Sequence, residues 1–99
     1  MEIKNIGVAG TMESSDIMIT LEPGTAPGIA IELNSTVDKR FGREIRRVIG
    51  ETLAALGIES AKVKAVDKGA LDCAIRARVK TAAYRACNVD TYTWEAPAR

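Results

Sequence analysis

Two segments near the N-terminus alternate apolar and polar residues with a period of two. Residues 16–22 read DIMITLE and residues 29–34 read IAIELN, with isoleucine and leucine at every second position. This period is typical of half-buried strands, because successive side chains of a strand point to opposite faces. Prolines and glycines in residues 23–28 indicate a loop between them. The two strands are therefore predicted to pair as antiparallel neighbours.

An earlier strand is predicted within residues 3–11, which are mostly apolar. Gly7 and Gly10 interrupt this segment. Glycine inside a strand often marks a bulge or a place where another backbone approaches closely. We therefore expect one of these two features at Gly7 or Gly10.

After residue 36 the apolar period changes from two to that of an amphipathic helix. The helical stripe consists of Val37, Phe41, Ile45, Val48, Ile49, Thr52 and Leu56. Ser35, with Asp38 three residues later, gives a weak capping signal at the start. Gly57 supplies the left-handed residue expected just past the end. The sequence thus predicts one helix over residues 37–56.

Residues 61–65 alternate again and predict a strand, which Asp67-Lys68-Gly69 would end in a hairpin turn. Residues 71–79 fit two patterns, because they alternate without interruption and also carry a helical stripe. The preceding turn favours a strand as far as Val79, followed by a short helix to Cys87. A helix throughout this segment is the alternative.

The predicted fold class is α+β, with helices on one face of a largely antiparallel sheet and the order β-β-β-α-β-β-α. The whole of residues 1–88 is expected to form one domain. Residues 89–99 lack periodicity and are expected to form a C-terminal tail, in which Trp94 is the candidate anchor.

Composition removes several classes of chemistry. The chain has 99 residues, a formal net charge of +1 and no histidine. Without histidine, Ser-His-Asp catalysis, Cys-His catalysis and histidine-based zinc sites are excluded. Cys73 and Cys87 are expected to be buried thiols. No apolar run approaches the ~20 residues of a membrane span and no signal peptide is recognisable, so a cytoplasmic location is expected.

The segment 8–16 lies between the first two predicted strands and ends in small and acidic residues. A hairpin tip there would expose Ser14. An exposed serine on a rigid sheet suits covalent modification, because an enzyme can reach it. Serine and aspartate are also ordinary turn residues, so the pattern alone favours a plain turn.

Two sequence blocks resemble the citrate lyase acyl carrier protein family. The first is V-A-G-T-M-E-S-S-D at residues 8–16, and the second is D-K-G-A-L-D-C-A-I-R-A-R at residues 67–78. The segments N-S-T-V and F-G between them, and a Trp-Glu pair near the end, also match in order. The resemblance therefore covers essentially the whole chain.

This resemblance implies a non-catalytic carrier subunit whose Ser14 holds phosphoribosyl-dephospho-CoA through a phosphodiester, delivered from a triphosphoribosyl-dephospho-CoA precursor. Its thiol would hold acetyl and citryl thioesters while citrate is cleaved to oxaloacetate and acetate. The implied partners are the citrate lyase alpha subunit (acyl transferase), the beta subunit (acyl lyase), a cofactor transferase and an acetylating ligase. The family commonly has glycine after the modified serine, whereas this chain has Ser15, which offers a second hydroxyl. The match at Glu13 and Asp16 favours Ser14 over Ser15 as the acceptor.

Two alternatives compete with this interpretation. One is a malonate decarboxylase-type acyl carrier, which is related in design. The other is a small binding module for nucleic acid or protein, suggested by basic residues in the predicted helix 37–56 and by Arg76, Arg78 and Lys80, which would share one side of a strand. Few aromatic residues and a net charge of +1 argue against nucleic acid. Neither a membrane nor a nucleic acid is expected as a partner.

Overall fold

The computed structural model describes residues 2–35 and 38–87, without the side chains of residues 38–40. The helix start predicted at Val37, the side chain of the cap partner Asp38 and the predicted tail 89–99 with Trp94 lie outside these described parts. The described residues form a four-stranded sheet and two helices, which confirms the α+β class. Neither described helix is long and apolar enough to cross a membrane.

The observed order is β-β-β-α-β-α. The elements are β1 (Gly7–Ala9), β2 (Ile17–Glu22), β3 (Gly28–Ser35), α1 (Asp38–Ala55), β4 (Ser60–Asp67) and α2 (Asp72–Ala86). The helix predicted over residues 37–56 is therefore confirmed, and Gly57 follows it with a φ of 76°. This positive φ lets the chain turn sharply into β4.

The sheet is largely antiparallel, as predicted, but it contains one parallel pair, and its strand order is β1-β2-β4-β3. β2 is antiparallel to both β1 and β4, whereas β3 and β4 are parallel. The predicted pairing of segments 16–22 and 29–34 was therefore wrong, because β4 lies between them. The helix α1 connects β3 to its neighbour β4, and a strand–helix–strand crossover of this kind makes the two strands parallel.

Residues 71–79 were wrongly predicted as a strand, because α2 begins directly after Leu71 and residues 72–79 form its first half. Leu71, Ile75 and Val79 satisfy both the period of two and the helical period, so they could not distinguish the two structures. Cys73 and Ala77 do distinguish them, because both are exposed on the helix surface. The expected burial of Cys73 was therefore also wrong, and residues 67–69 lead into a helix instead of a hairpin.

The core lies between one face of the sheet and the two helices. Ile17, Ile19 and Leu21 of β2 have no solvent-exposed surface, and the predicted stripe of α1 is buried from Ile45 onward. Phe41 is an exception at 50% exposure. On α2, the buried face is made largely of alanine, which allows this helix to approach the sheet closely.

The close approach predicted for a glycine in the first strand is found at Gly7. A Cβ atom there would lie 2.2 Å from the Ala82 carbonyl oxygen and 2.5 Å from the Ala86 nitrogen. The backbone N–H groups of Lys4 and Asn5 also donate to the Ala86 carbonyl oxygen, at 3.0 and 2.9 Å. The N-terminal segment thus closes the C-terminal end of α2, since the last carbonyls of a helix have no partner within it.

Candidate functional site

Ser14 lies in the loop that joins β1 to β2, hereafter the Ser14 loop (residues 10–16). The two strands form an antiparallel hairpin, and Ser14 is exposed near its tip, as the sequence predicted. Gly10 begins the loop with a φ of 100°, and a Cβ atom there would lie 1.8 Å from the Ile17 carbonyl oxygen. Only glycine fits this position, since other residues require both a different φ and more space.

The Asp16 carboxylate holds the Ser14 loop together. Its Oδ2 atom accepts a hydrogen bond from the Thr11 hydroxyl at 2.6 Å, and its Oδ1 atom accepts one from the Ile17 N–H group at 2.7 Å. The Arg78 guanidinium donates to both oxygens, at 3.0 and 2.8 Å. Such two-pronged charged contacts are among the stronger hydrogen bonds in proteins. They attach the loop to α2.

These contacts also set the protonation state of Asp16. The hydrogen bond from Arg78 is the largest cause, followed by the one from Thr11, and together they hold the pKa of Asp16 well below its usual range. The carboxylate therefore stays charged at neutral pH. A charged Asp16 is what the guanidinium and hydroxyl donors require.

A second set of contacts joins the Ser14 loop to the turn between β4 and α2. Ser15 donates its backbone N–H to the Lys68 carbonyl oxygen at 2.8 Å, and the Lys68 N–H donates to the Asp16 carbonyl oxygen at 2.9 Å. The buried carboxylate of Asp67 fixes this turn by accepting hydrogen bonds from the Ser35 hydroxyl and from the Gly69 and Ala70 N–H groups. Thus the loop that carries Ser14 rests on a fixed turn.

Ser15 has a φ of 64°, the left-handed conformation that glycine tolerates best. The citrate lyase acyl carrier proteins that this sequence resembles commonly have glycine at this position. The left-handed backbone explains that preference, because glycine adopts a positive φ without steric cost. The Ser15 N–H group still reaches Lys68 in this conformation. The departure from glycine therefore changes the energy of the loop rather than its path.

We predict that Ser15→Gly stabilises the protein by about 0.5–1 kcal/mol, because it removes the left-handed strain at a cost in chain entropy that only partly offsets the gain. Urea denaturation followed by circular dichroism will measure the difference. Ser14→Gly is the matched control, since the backbone of Ser14 does not have a positive φ. An equal or larger gain from the control would contradict the strain argument.

We predict that Arg78→Ala lowers the free energy of unfolding at pH 7 by about 1 kcal/mol, a small value because the Arg78 side chain is 41% exposed and solvent screens the pair. The pKa of Asp16 is lowered in the folded state, so its contribution is complete above its ordinary value near 3.8. That contribution is lost as pH falls below this ordinary value towards the lower pKa of the folded state. Denaturation curves of both proteins should therefore converge at acidic pH.

The basic stripe predicted from the sequence is not formed. Residues two apart on a helix point in divergent directions. Arg76 lies 3.5 Å from Glu51 on α1, whereas Arg78 pairs with Asp16. The expectation that all three side chains share one side was therefore wrong, because Arg76 and Lys80 are one helical turn apart on the same face and Arg78 diverges from them.

One basic side chain of α1, that of Arg47, is also paired within the protein. Arg47 forms ion pairs with Glu44 and Glu51, which lie on neighbouring turns of the same helix. Contacts to nearby carboxylates reduce the positive field available to a phosphate backbone. The structure thus weakens the argument for a nucleic-acid-binding face.

Sequence reasoning identified Ser14 but missed the partners that hold its loop. Asp16 and Arg78 are 62 residues apart, and nothing in the local pattern connects them. Each belongs to one of the two blocks that carry the family resemblance, which is the only available signal. Asp67 was interpreted as a turn residue, and its buried contact with Ser35 was not foreseen.

Residues 4–86 match the acyl carrier family described as malonate decarboxylase delta subunit (MdcD). The citrate lyase acyl carrier protein of Streptococcus mutans serotype c is 55% identical over 96% of this chain and 93% of its own length. That of Lacticaseibacillus casei is 59% identical over the same shares.

Among solved structures, a chain from the crystal structure of a Pseudomonas malonate decarboxylase hetero-tetramer in complex with malonate has a similar fold. The TM-score is 0.67 and the alignment covers 86% of this chain and 91% of that chain. At 19% sequence identity, the likeness concerns the fold alone.

Proposed function

Since this chain belongs to the citrate lyase acyl carrier protein family, we propose that its Ser14 carries the covalent prosthetic group of that system. The observation that supports the proposal most directly is the exposed position of Ser14 on a loop held from both sides. Membership of the family supports an acyl carrier role, and we propose that the chain is a carrier subunit without catalytic activity of its own. The identity of the prosthetic group, phosphoribosyl-dephospho-CoA, and its attachment to Ser14 are what we propose.

The residues of the loop fit a phosphodiester linkage at Ser14. Its hydroxyl is exposed, so a transferase can reach it without unfolding the hairpin. The linked serine need not move during turnover, because hydrogen bonds hold Thr11 before it and Ser15 and Asp16 after it. Ser15 differs, since its N–H group is engaged and its backbone is bent into the left-handed region. These features favour Ser14 as the acceptor.

Both helices begin at the end of the sheet where Ser14 lies. β3 ends at Ser35 beside Asp67, the last residue of β4, and Asp67 is itself paired with Ile17 next to the Ser14 loop. The chain enters α1 and α2 shortly after these strand ends. Helix N-termini favour negative charge, so this end of the protein suits a linked phosphate.

When bound, phosphoribosyl-dephospho-CoA supplies the thiol that carries acetyl and citryl groups during citrate cleavage. The protein's part is to anchor the group and to bring it to other subunits. Tethering to Ser14 raises the effective concentration of the thiol at each partner site, to about millimolar for a short flexible link. The proposed partners are the alpha and beta subunits of citrate lyase, the cofactor transferase and the acetylating ligase, all in the cytoplasm.

A malonate decarboxylase-type carrier is the second candidate, because the matching family description names a subunit of that enzyme. The relatives that are 55–59% identical carry the citrate lyase name instead. Reconstitution distinguishes the two candidates. The loaded protein should support citrate cleavage with citrate lyase alpha and beta subunits, and should not support malonate decarboxylation with the corresponding decarboxylase subunits.

Mass spectrometry tests the proposal directly. The protein is produced with and without the cofactor transferase, and the expected result is a single covalent adduct with the mass of phosphoribosyl-dephospho-CoA. Peptide mapping should place it on Ser14. An unmodified chain in the presence of active transferase, or an adduct elsewhere, would overturn the proposal.

A further inference from the structure

A groove of about 420 Å³ lies between the first turns of α1 and α2. Ile45 and Ile75, which are buried, contribute to its lining. Phe41 and Leu71, which are 50% and 73% exposed, also line it. Exposure of large apolar side chains to water is unfavourable, so covering these two side chains would lower the free energy.

Leu71 is unfavourable for the fold at its position. It is the N-cap residue of α2, with extended backbone angles and no side-chain hydrogen bond to the helix. Serine, threonine, aspartate or asparagine would stabilise a helix at this position, whereas leucine does not. A residue that breaks a local rule without a structural gain is typical of a functional position.

The groove adjoins the Ser14 loop through the turn between β4 and α2. The backbone of Lys68 is hydrogen-bonded to both Ser15 and Asp16. The next two residues, Gly69 and Ala70, line the groove. A flexible group linked to Ser14 is therefore separated from the apolar surface of the groove only by the turn between β4 and α2.

The chemistry of the groove matches the neutral part of a coenzyme A-type arm. Its apolar walls suit the methylene groups and a short acyl chain. Glu44 and Asp72 also line the groove, and their carboxylates can accept hydrogen bonds from the amide N–H groups of the arm. Concave sites with apolar walls and a few polar groups are the usual form of small-molecule sites.

Resting on the function proposed above, we propose that this groove is the resting site of the prosthetic arm linked to Ser14. In this state the acetylated thiol lies against Leu71 and Phe41, where water has less access to the thioester carbonyl. Docking at a partner subunit competes with this state and releases the arm. The carrier thus protects its acetyl group between encounters.

The test compares Leu71→Ser with wild type after loading and enzymatic acetylation of the isolated carrier. Water attacks the thioester carbonyl and releases acetate, leaving the free thiol, and intact mass follows the loss of the acetyl group. We expect hydrolysis to be about fivefold faster in Leu71→Ser, because a large apolar contact is lost. The same substitution should raise Tm by about 4 °C, because it introduces an N-cap.

Ile6→Ser is the matched control, because Ile6 is 63% exposed and precedes β1 at the other end of the sheet. Its hydrolysis rate should equal that of wild type. Amide NMR spectra before and after loading should show shifts at Ile45, Leu71 and Ile75. Equal hydrolysis in Leu71→Ser and wild type, or shifts at the groove only when partner subunits are added, would overturn the proposal.

These outcomes are separable from the function itself. If no adduct forms on Ser14, the proposed function fails before the groove is tested. If the adduct forms on Ser14 but the groove amides do not shift, the carrier function stands and the resting site is wrong. In Leu71→Ser we expect a higher Tm together with a shorter thioester lifetime. A damaged fold would lower both, so the two measurements distinguish the loss of the contact with the arm from a loss of stability.

Discussion

Gly7→Ala is expected to destabilise the protein by about 3 kcal/mol, near the upper end of the cost of overpacking a core. The added Cβ atom would lie 2.2 Å from the Ala82 carbonyl oxygen, and both atoms belong to backbone or are fixed to it. Neither can turn away as the end of a flexible side chain would. The helix α2 must therefore move away from β1, and the alanine packing beneath it is lost.

Guanidinium denaturation of Gly7→Ala, followed by circular dichroism, gives the free energy of unfolding. Gly50→Ala is the matched control, because Gly50 lies inside α1 and a Cβ atom there meets nothing within 4 Å. This control should stabilise the protein by about 0.5–1 kcal/mol, since alanine is the better helix former. A loss below about 1 kcal/mol for Gly7→Ala would refute the close approach of α2.

Ser14→Ala is expected to abolish attachment of the prosthetic group while leaving the fold intact. The Ser14 side chain is exposed, so its hydroxyl should contribute less than about 0.5 kcal/mol to stability. Incubation with the cofactor transferase and the precursor, followed by intact mass measurement, should detect no adduct. Citrate cleavage by the reconstituted complex should be lost to the same extent.

Ser15→Ala distinguishes the two adjacent hydroxyls. It keeps a side chain at the left-handed position, so the strain of the loop is similar to that of wild type. This variant should be loaded at the wild-type rate. Loading of Ser14→Ala that disappears in Ser14→Ala/Ser15→Ala would instead identify Ser15 as an acceptor.

Local periodicity was sufficient for β2, β3, β4 and α1, because each has one unambiguous apolar stripe. It failed at residues 71–79, where apolar residues four apart satisfy the strand and helix periods together. The positions that separate the two periods are Cys73 and Ala77, and neither residue type is polar enough to exclude burial. The alanine-rich face of α2 adds to the ambiguity, since alanine is small enough for either structure.

Strand order could not be deduced from the pattern of single strands. β2 and β3 are neighbours in sequence, and sequential strands often pair. Here β4 occupies the position between them, and β3 becomes one of the two edge strands, where Ile29 and Ile31 are only partly buried. How deeply the apolar residues of a strand are buried depends on which strands lie beside it. This neighbourhood is set by the assembled sheet and cannot be deduced from the pattern of one strand.

The sequence predicts Ser14 as the candidate site, but it does not predict the contacts that support its loop. Ser14 is the candidate because a contiguous motif resembles a known family. Its supports depend on contacts between residues distant in sequence, such as Asp16 with Arg78 and Ser35 with Asp67. Charged residues at such positions look like solvated surface until the fold brings them together.

The closure of α2 by Lys4 and Asn5 has a practical consequence for handling the protein. It brings residue 4 and residue 86 together at the pole opposite the Ser14 loop, since Gly7 pairs with Leu21 and Ala9 with Ile19 towards the loop. An affinity tag or a biosensor linkage placed before residue 2 therefore leaves Ser14 facing the solution. Transferase kinetics measured on such an immobilised carrier should match those of the free protein.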